Sequence, residues 1–227
     1  VKPGQVLRKW WQTYVLGGVL TPQDLYRPAL AENHPTSSDH RFFLDLPSDE
    51  QWQAPARLRY PVYWSLQMYL DHCERADWQS TDLRLQRWAA LFIEYARKRD
   101  IPLYVHCATR TEAEQALVYA RGNSRAQYPS SAHNIGEAVD IVHGRYHWDM
   151  TRQEWQLLYT LGMLALDRIN ATLPKAQKLE LVWGGNFRTL YDPAHWEIAD
   201  YRQRLRRLPL ADPVRLTPRG ILSKVRL

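Results

Sequence analysis

The chain is predicted to fold as α+β, with a small antiparallel sheet flanked by helices. Segments of strand character and segments of helical period follow one another without strict alternation, which argues against a doubly wound parallel sheet. The residues that carry chemistry cluster on loops and at strand ends. With 227 residues, 45% of them hydrophobic, there is enough apolar material for one large domain, alone or with sizeable extensions.

Residues 1–61 are punctuated by proline from Pro3 to Pro61 and carry polar stretches such as His34-Pro35-Thr36-Ser37-Ser38. Short helices around Val6 to Leu16 and Pro22 to Ala31, joined by loops, are the most this stretch supports. It is expected to pack onto the following domain or to dock to something else. Apolar positions recur at helical spacing from Val62 to Ala76, and again from Thr81 to Lys98 through Leu85, Trp88, Phe92 and Tyr95. Pro102 resets the backbone, and Leu103-Tyr104-Val105-His106-Cys107 reads as a central strand. Thr111-x-x-Glu114 is a capping box that opens a helix running to Arg121, closed by Gly122. Arg110 therefore stands at a strand-to-helix junction, where side chains often face a cleft.

A polar loop from Asn123 to Ala132 delivers His133, and Glu137 to Val142 is the next strand. A second capping box, Thr151-x-x-Glu154, starts a helix with Trp155, Leu158, Leu161, Ala165 and Ile169 on its apolar face. Leu179 to Trp183 is a strand ending at Gly184-Gly185, and Trp196 to Ala199 is a last short one. The domain organisation that follows is an extension over 1–61, a catalytic domain over 62–200 and a basic tail over 201–227.

The formal charge of +6 is unevenly placed. From Tyr201 onward eight basic residues face Asp212 alone, whereas the first 200 residues hold 22 basic and 23 acidic side chains. Such a tail can hold a protein near an anionic polymer, whether teichoic acid, lipid headgroups or nucleic acid, and the sequence does not choose among them. A solvated or partner-packed tail explains it equally well. Cys73 and Cys107 lack the spacing of a disulfide framework and are expected as free thiols. Lys2, Arg8 and Lys9 precede an uncharged run from Trp10 to Gln23, but that run is too polar and short for a membrane span, and no clear signal-peptide cleavage site follows.

The chemistry is concentrated in Ser131-Ala132-His133-Asn134-Ile135-Gly136-Glu137-Ala138-Val139-Asp140 and in Asp192-Pro193-Ala194-His195-Trp196-Glu197. Two histidines and an aspartate make a three-ligand zinc set with a fourth position open to water, and a further carboxylate can act as base. A carboxylate within an apolar strand is costly unless it is paired or metal-bound, so Asp140 is the least ordinary member. His143 and His147 are four apart, the interval of helical zinc pairs, but Gly144 and the preceding strand make them loop residues at most at the cleft rim. His72 and His106 have no sequence partners and are expected in the core or on the surface.

Together, Ser-x-His-x-x-Gly-x-Ala-x-Asp, then Trp183-Gly184-Gly185, then Asp192-x-x-His195-Trp196-Glu197 resemble the zinc peptidases of the D-alanyl-D-alanine carboxypeptidase and L-alanyl-D-glutamate endopeptidase family, which share a core with hedgehog signalling domains. The resemblance runs from about Leu103 to Ile198 and includes Arg110-Thr111-Glu112-Ala113-Glu114-Gln115, similar to the family's Arg-Thr-x-x-Glu-Gln segment. It implies one zinc held by His133, Asp140 and His195, with Asp192 as base and Arg110 holding substrate. It implies substrate contacts from Gln115, Ser131 and Trp183 as well, although Trp183, Trp196 and Tyr191 could equally pack beneath the zinc loop. Spacing alone leaves Asp192 and Glu197 about even as base; the resemblance favours Asp192, with Glu197 orienting His195. Aspartate at 192 is closer to the endopeptidase branch, since the carboxypeptidases usually have glutamate there.

The implied substrate is bacterial peptidoglycan, cleaved at the L-alanyl-D-glutamate bond by a phage lysin, a virion-borne protein or an exported bacterial enzyme. The extension and the tail would then meet a virion or wall-polymer partner. A structural or assembly protein that keeps the core with little activity is the competing class, and a D-alanyl-D-alanine carboxypeptidase is a second alternative.

Overall fold

A computed structural model of the chain describes residues 54–78 and 80–207. The architecture is α+β: four short strands form one antiparallel sheet in the order β1-β2-β4-β3, with helices packed on one face. Strands are β1 (Leu103–Cys107), β2 (Ala138–His143), β3 (Leu181–Trp183) and β4 (His195–Ile198). Helices are α1 (Gln67–Cys73), α2 (Leu83–Arg97), α3 (Glu112–Ala120), α4 (Arg152–Thr172) and α5 (Tyr201–Leu205).

Local chemistry explains most boundaries. The Asp82 carboxylate caps α2 by accepting from the Arg84 and Leu85 amides. Both capping boxes form, at Thr111/Glu114 and Thr151/Glu154. The helical spacing from Val62 to Ala76 is interrupted: Pro61–Ser65 is a 3₁₀ turn and α1 begins only at Gln67, because Leu66 is extended. His143 ends β2 rather than lying in a loop. It is fully buried, with its Nε2 2.9 Å from the Leu58 carbonyl and its Nδ1 accepting from the Arg145 and Tyr146 amides.

The core lies between the sheet and helices α2 and α4. Trp88 of α2 is fully buried and donates its indole N–H to the Gly162 carbonyl of α4 at 2.9 Å. Its ring packs 4.9 Å from that of Trp196, and Tyr159 stacks on Trp196 from α4. Since side chains alternate along a strand, Trp196 and Ile198 turn β4 toward the helices while His195 and Glu197 face the other way. The sheet thus has a packed face and a working face.

Ala54 and Leu58 are buried in the same core, and the Tyr60 amide donates to the Asp100 carbonyl at 2.7 Å, so the last part of the proline-punctuated extension is packed against the domain. At the other end Tyr201 is buried against Ala132 and Ala138, and Arg204 pairs with Glu137 and Asp200. The helices expected around Val6 to Leu16 and Pro22 to Ala31, and the basic residues from Arg215 onward, lie outside the described residues, as do the docking roles expected of them. No helix among the described residues is long and apolar enough to cross a membrane.

Candidate metal centre

The register of the sheet assembles the site. In the β2–β4 pair Asp140 stands directly opposite His195, and opposed residues of an antiparallel pair share a face. On the other side of β2 the register slips between Val105 and Cys107, so that His106 is the extra residue of a bulge and Cys107 faces Asp140.

His133 arrives from a 3₁₀ turn, Ala132–Ile135, closed by Gly136 at φ 70°. That conformation favours glycine, and a Cβ there would also fall 1.8 Å from the Ser80 carbonyl oxygen. The turn is tied to the end of β1, where the Arg110 amide donates to the His133 carbonyl at 3.1 Å and the Asn134 side chain donates to the Arg110 carbonyl at 2.9 Å. A second turn brings His195. The Trp183 indole N–H donates to the Pro193 carbonyl at 2.7 Å, and the His195 amide donates to the Asp192 carbonyl at 3.1 Å. A Cβ on Gly184 would meet the Asp192 carbonyl oxygen at 2.3 Å, so the Trp-Gly pair both braces this turn and leaves room for it.

Three ligand-type atoms converge. His133 Nε2 lies 3.1 Å from Asp140 Oδ1, His195 Nδ1 lies 3.0 Å from the same oxygen, and the two nitrogens are 3.2 Å apart. The opposite ring nitrogens fix the tautomers. His133 Nδ1 is 2.6 Å from the Ala108 carbonyl and His195 Nε2 is 3.1 Å from Glu197 Oε2. These oxygens only accept, so those nitrogens carry the protons, and neutral imidazoles then present two lone pairs and a carboxylate oxygen to one point. Three acceptors that close repel one another unless a cation or an added proton sits among them. Ligands tetrahedral about zinc at 2.0–2.2 Å stand about 3.3–3.6 Å apart, a little wider than the 3.0–3.2 Å spacing here. Two imidazoles with one carboxylate suit zinc better than a hard, oxygen-seeking cation such as calcium.

The electrostatics agree. Burial opposes charge on His133, yet Asp140 and Cys107 outweigh it and raise its pKa to about 10. Burial likewise opposes charge on His195, which its bonds to Asp140 and Glu197 raise. Asp140 is itself held well below the usual carboxylate range: burial acts against ionisation, and the two histidines prevail. The point between these groups favours positive charge.

Asp192, half-buried, shares a second ligand-type group with Asp140 and His195. Burial, and then the Asp140 charge, raise its pKa. A carboxylate raised in this way beside a cation site is suited to accept and return a proton. Arg110 Nη2 lies 3.3 Å from Asp140 Oδ2 and 3.5 Å from Cys107 Sγ, while Nη1 donates to Gln115 Oε1 at 3.1 Å. The guanidinium is therefore fixed at the edge of the centre. Cys107 is close to the histidine too, with its Sγ 3.8 Å from Nδ1, and together with His133 and Asp140 it forms a further group of ligand-type atoms.

The remaining candidates divide by burial. Gln115 is fully buried, with its amide spent on Arg110, Ser124 and the Ala126 carbonyl, so in this structure it orients Arg110 and the loop behind it. Ser131 is buried and begins the His133 turn, its amide donating to Asn134 Oδ1 at 3.1 Å. Trp183 is 5% exposed and lies among Tyr159 and Trp196, the packing beneath the loop that the sequence left open as one of two arrangements. His106 and Trp148, which sequence reasoning did not place at the site, stand at its rim with ring centroids 4.6 Å apart. Only the β1 bulge and the turn after β2 put them there.

Residues 124–198 match a family model described as D-alanyl-D-alanine carboxypeptidase. Among solved structures the chain is similar to the Serratia marcescens L-Ala D-Glu endopeptidase ChiX, at 21% identity over 70% of this chain and 99% of that one, with a TM-score of 0.43. None of the curated proteins matches it.

Proposed function

We propose that this chain, whose residues 124–198 match a family model described as D-alanyl-D-alanine carboxypeptidase, is a zinc-dependent peptidase that cleaves the stem peptides of peptidoglycan at the L-alanyl-D-glutamate bond. The observation that carries the reading is the convergence of His133 Nε2, His195 Nδ1 and Asp140 Oδ1 within 3.0–3.2 Å, with both outer ring nitrogens occupied. These three residues would hold the zinc.

Bound there, zinc would supply polarisation of the scissile carbonyl and would lower the pKa of a water to about 7. Asp192, beside Asp140 and His195, would take the proton of the attacking water through its carboxylate and hand it to the leaving amine. Arg110 stands at the edge of the centre, within reach of Asp140. Its planar fork, braced by Gln115, can present remaining N–H groups to a substrate carboxylate or to the charge that develops on the carbonyl oxygen. Glu197 holds the His195 ring so that Nδ1 faces the centre. Stem peptides carry the free carboxylates that such an arginine selects.

The family description itself favours a second reading, in which the same residues remove a terminal D-alanine. Aspartate rather than glutamate at 192 supports the endopeptidase reading. The setting is the bacterial wall or periplasm, reached as a phage lysin, a virion component or an exported enzyme. Mass spectrometry of purified wall after digestion tests these readings together. New glutamate amino termini are expected; free D-alanine would transfer the reading to the carboxypeptidase, and no released product with zinc-loaded protein would sink both.

A further inference from the structure

Arg75 lies in the turn that follows α1, among the buried residues Cys73, Ala76 and Trp78. That turn is tied to the end of β1: Asp77 and Thr109 form an antiparallel bridge in which the Thr109 amide donates to the Asp77 carbonyl at 2.9 Å, one residue before Arg110. The Arg75 side chain is exposed, and its Nη2 lies 3.2 Å from Nε2 of His106, the extra residue of the β1 bulge. A guanidinium only donates, so Nε2 accepts and Nδ1 of the neutral ring carries the proton. That N–H is directed to the Tyr104 hydroxyl at 3.3 Å, and the hydroxyl proton goes on to His147 Nδ1 at 3.0 Å. Tyr104 is itself fully buried, with the His72 ring stacked on it at 3.9 Å and His72 Nδ1 accepting from the Tyr63 hydroxyl at 2.9 Å. The acceptor that aims Arg75 is thus locked from behind. Burial, and then the Arg75 charge, push the His106 pKa down to about 4, so the ring is neutral at ordinary pH.

Arg57, Arg84, Arg97, Arg110 and Arg204 each meet a carboxylate. Arg75 is held instead by an uncharged nitrogen and, among the described residues, makes no ion pair. A guanidinium oriented by a neutral acceptor keeps its charge and its other N–H groups for a ligand, and its planar fork matches a carboxylate. The place of that ligand follows from the strand. Tyr104 stands opposite Val142, on the face of β2 that carries Asp140. Cys107, next after His106, faces Asp140 and lies 3.5 Å from Arg110 Nη2, so the two guanidinium groups flank one strand end beside the metal centre. We propose that Arg75 is a second carboxylate-binding residue of the substrate cleft, gripping one carboxylate of an acidic peptide while Arg110 serves the other side of the centre. The identity of that peptide as a wall stem rests on the peptidase reading; the placing of Arg75 does not.

Binding of an uncleavable stem fragment to the zinc-loaded full chain tests it. The probe is γ-D-glutamyl-L-lysyl-D-alanine, which lacks the L-alanyl bond, compared with its two monoamides, one at the glutamate α-carboxyl and one at the C-terminus, each titrated in ¹H–¹⁵N spectra. Wild type should bind the free acid about tenfold more tightly than one of the monoamides, the difference expected for one hydrogen bond to a charged group. In Arg75→Gln, with zinc content unchanged, that ratio should fall to about one, and the monoamide whose penalty disappears names the carboxylate that Arg75 takes. No preference in wild type, a preference that survives Arg75→Gln, or no binding of the free acid overturns the proposal. Release of peptides from purified wall is scored separately. If the preference depends on Arg75 but nothing is released, the carboxylate contact stands and the peptidase reading falls; if wall is digested and no such preference exists, the peptidase reading stands and the role of Arg75 falls.

Discussion

His195 Nε2 and Glu197 Oε2 lie 3.1 Å apart on the working face of β4, two residues apart in the same strand. Because the carboxylate can only accept, it decides which nitrogen of His195 is left to face Asp140. Glu197→Gln keeps the shape and removes the charge. Zinc affinity should fall about 10-fold or more, as is usual when the partner of a ligating histidine is altered, while the fully loaded variant retains most of its turnover. Chelator competition followed by steady-state rates checks both halves.

Asp192 is expected to behave in the opposite way. Asp192→Asn leaves the three converging atoms in place, so zinc stoichiometry should be unchanged, whereas turnover should drop by about 10²–10⁴. A fully metallated Glu197→Gln variant that is inactive, beside an active Asp192→Asn variant, would exchange the two roles.

Much of this site was legible in the residues. Gly136 between His133 and Asp140 is the residue type that permits a sharp turn, and the structure shows a left-handed one against Ser80 that leaves no space for a Cβ. Both capping boxes stood in plain sequence and placed Arg110 at its junction. What could not be read was register. The bulge that sets Cys107 opposite Asp140 depends on one extra residue in β1, which composition and period do not reveal. The indole bond of Trp183 to Pro193 had the same problem, because a tryptophan beside a glycine pair reads alike as a wall or as packing. His143 was misplaced in a loop because its partners, Leu58 and its own turn amides, are remote or local backbone with no side-chain signature.

Arg110 touches Asp140, Cys107 and Gln115 through two nitrogens of one planar group. Arg110→Lys keeps the charge but cannot span these partners. Turnover should fall about 10- to 100-fold, matching one or two hydrogen bonds to charged groups, with a smaller change in thermal midpoint. Equal activity in the lysine variant would make the arginine a structural strut.

Glu154 closes the capping box of α4 and receives Arg57 at 2.5 Å. Burial would raise its pKa, but the Arg57 and Thr151 bonds outweigh that and lower it. A carboxylate depressed in the folded state stabilises above its unfolded pKa and loses that contribution as pH falls through the folded value. The Tm difference between wild type and Glu154→Gln should therefore be present at neutral pH and close in acid, below the usual glutamate range. A gap constant with pH would assign the effect to the cap alone.

The residues after Asp200 should separate into two parts on truncation. Tyr201 is 4% exposed against Ala132 and Ala138, and Arg204 pairs bidentately with Glu137, whose carbonyl accepts from the Ile198 amide. Ending the chain at Asp200 would uncover the turn that carries His133 and strip Glu137 of its partner. The lost tyrosine burial alone amounts to about 1.5–3 kcal/mol, so the Tm should fall by several degrees and zinc should bind more weakly. Ending it at Arg207 keeps every one of these contacts and removes Arg215, Arg219, Lys224 and Arg226 with Asp212. That variant should cleave small soluble substrates at the wild-type rate and adsorb less to anionic wall at low salt, with the difference vanishing as the Debye length shrinks to about 3 Å near 1 M salt. Equal adsorption of the Arg207 variant and the whole chain at low salt would show that the basic excess does not bring the protein to the wall.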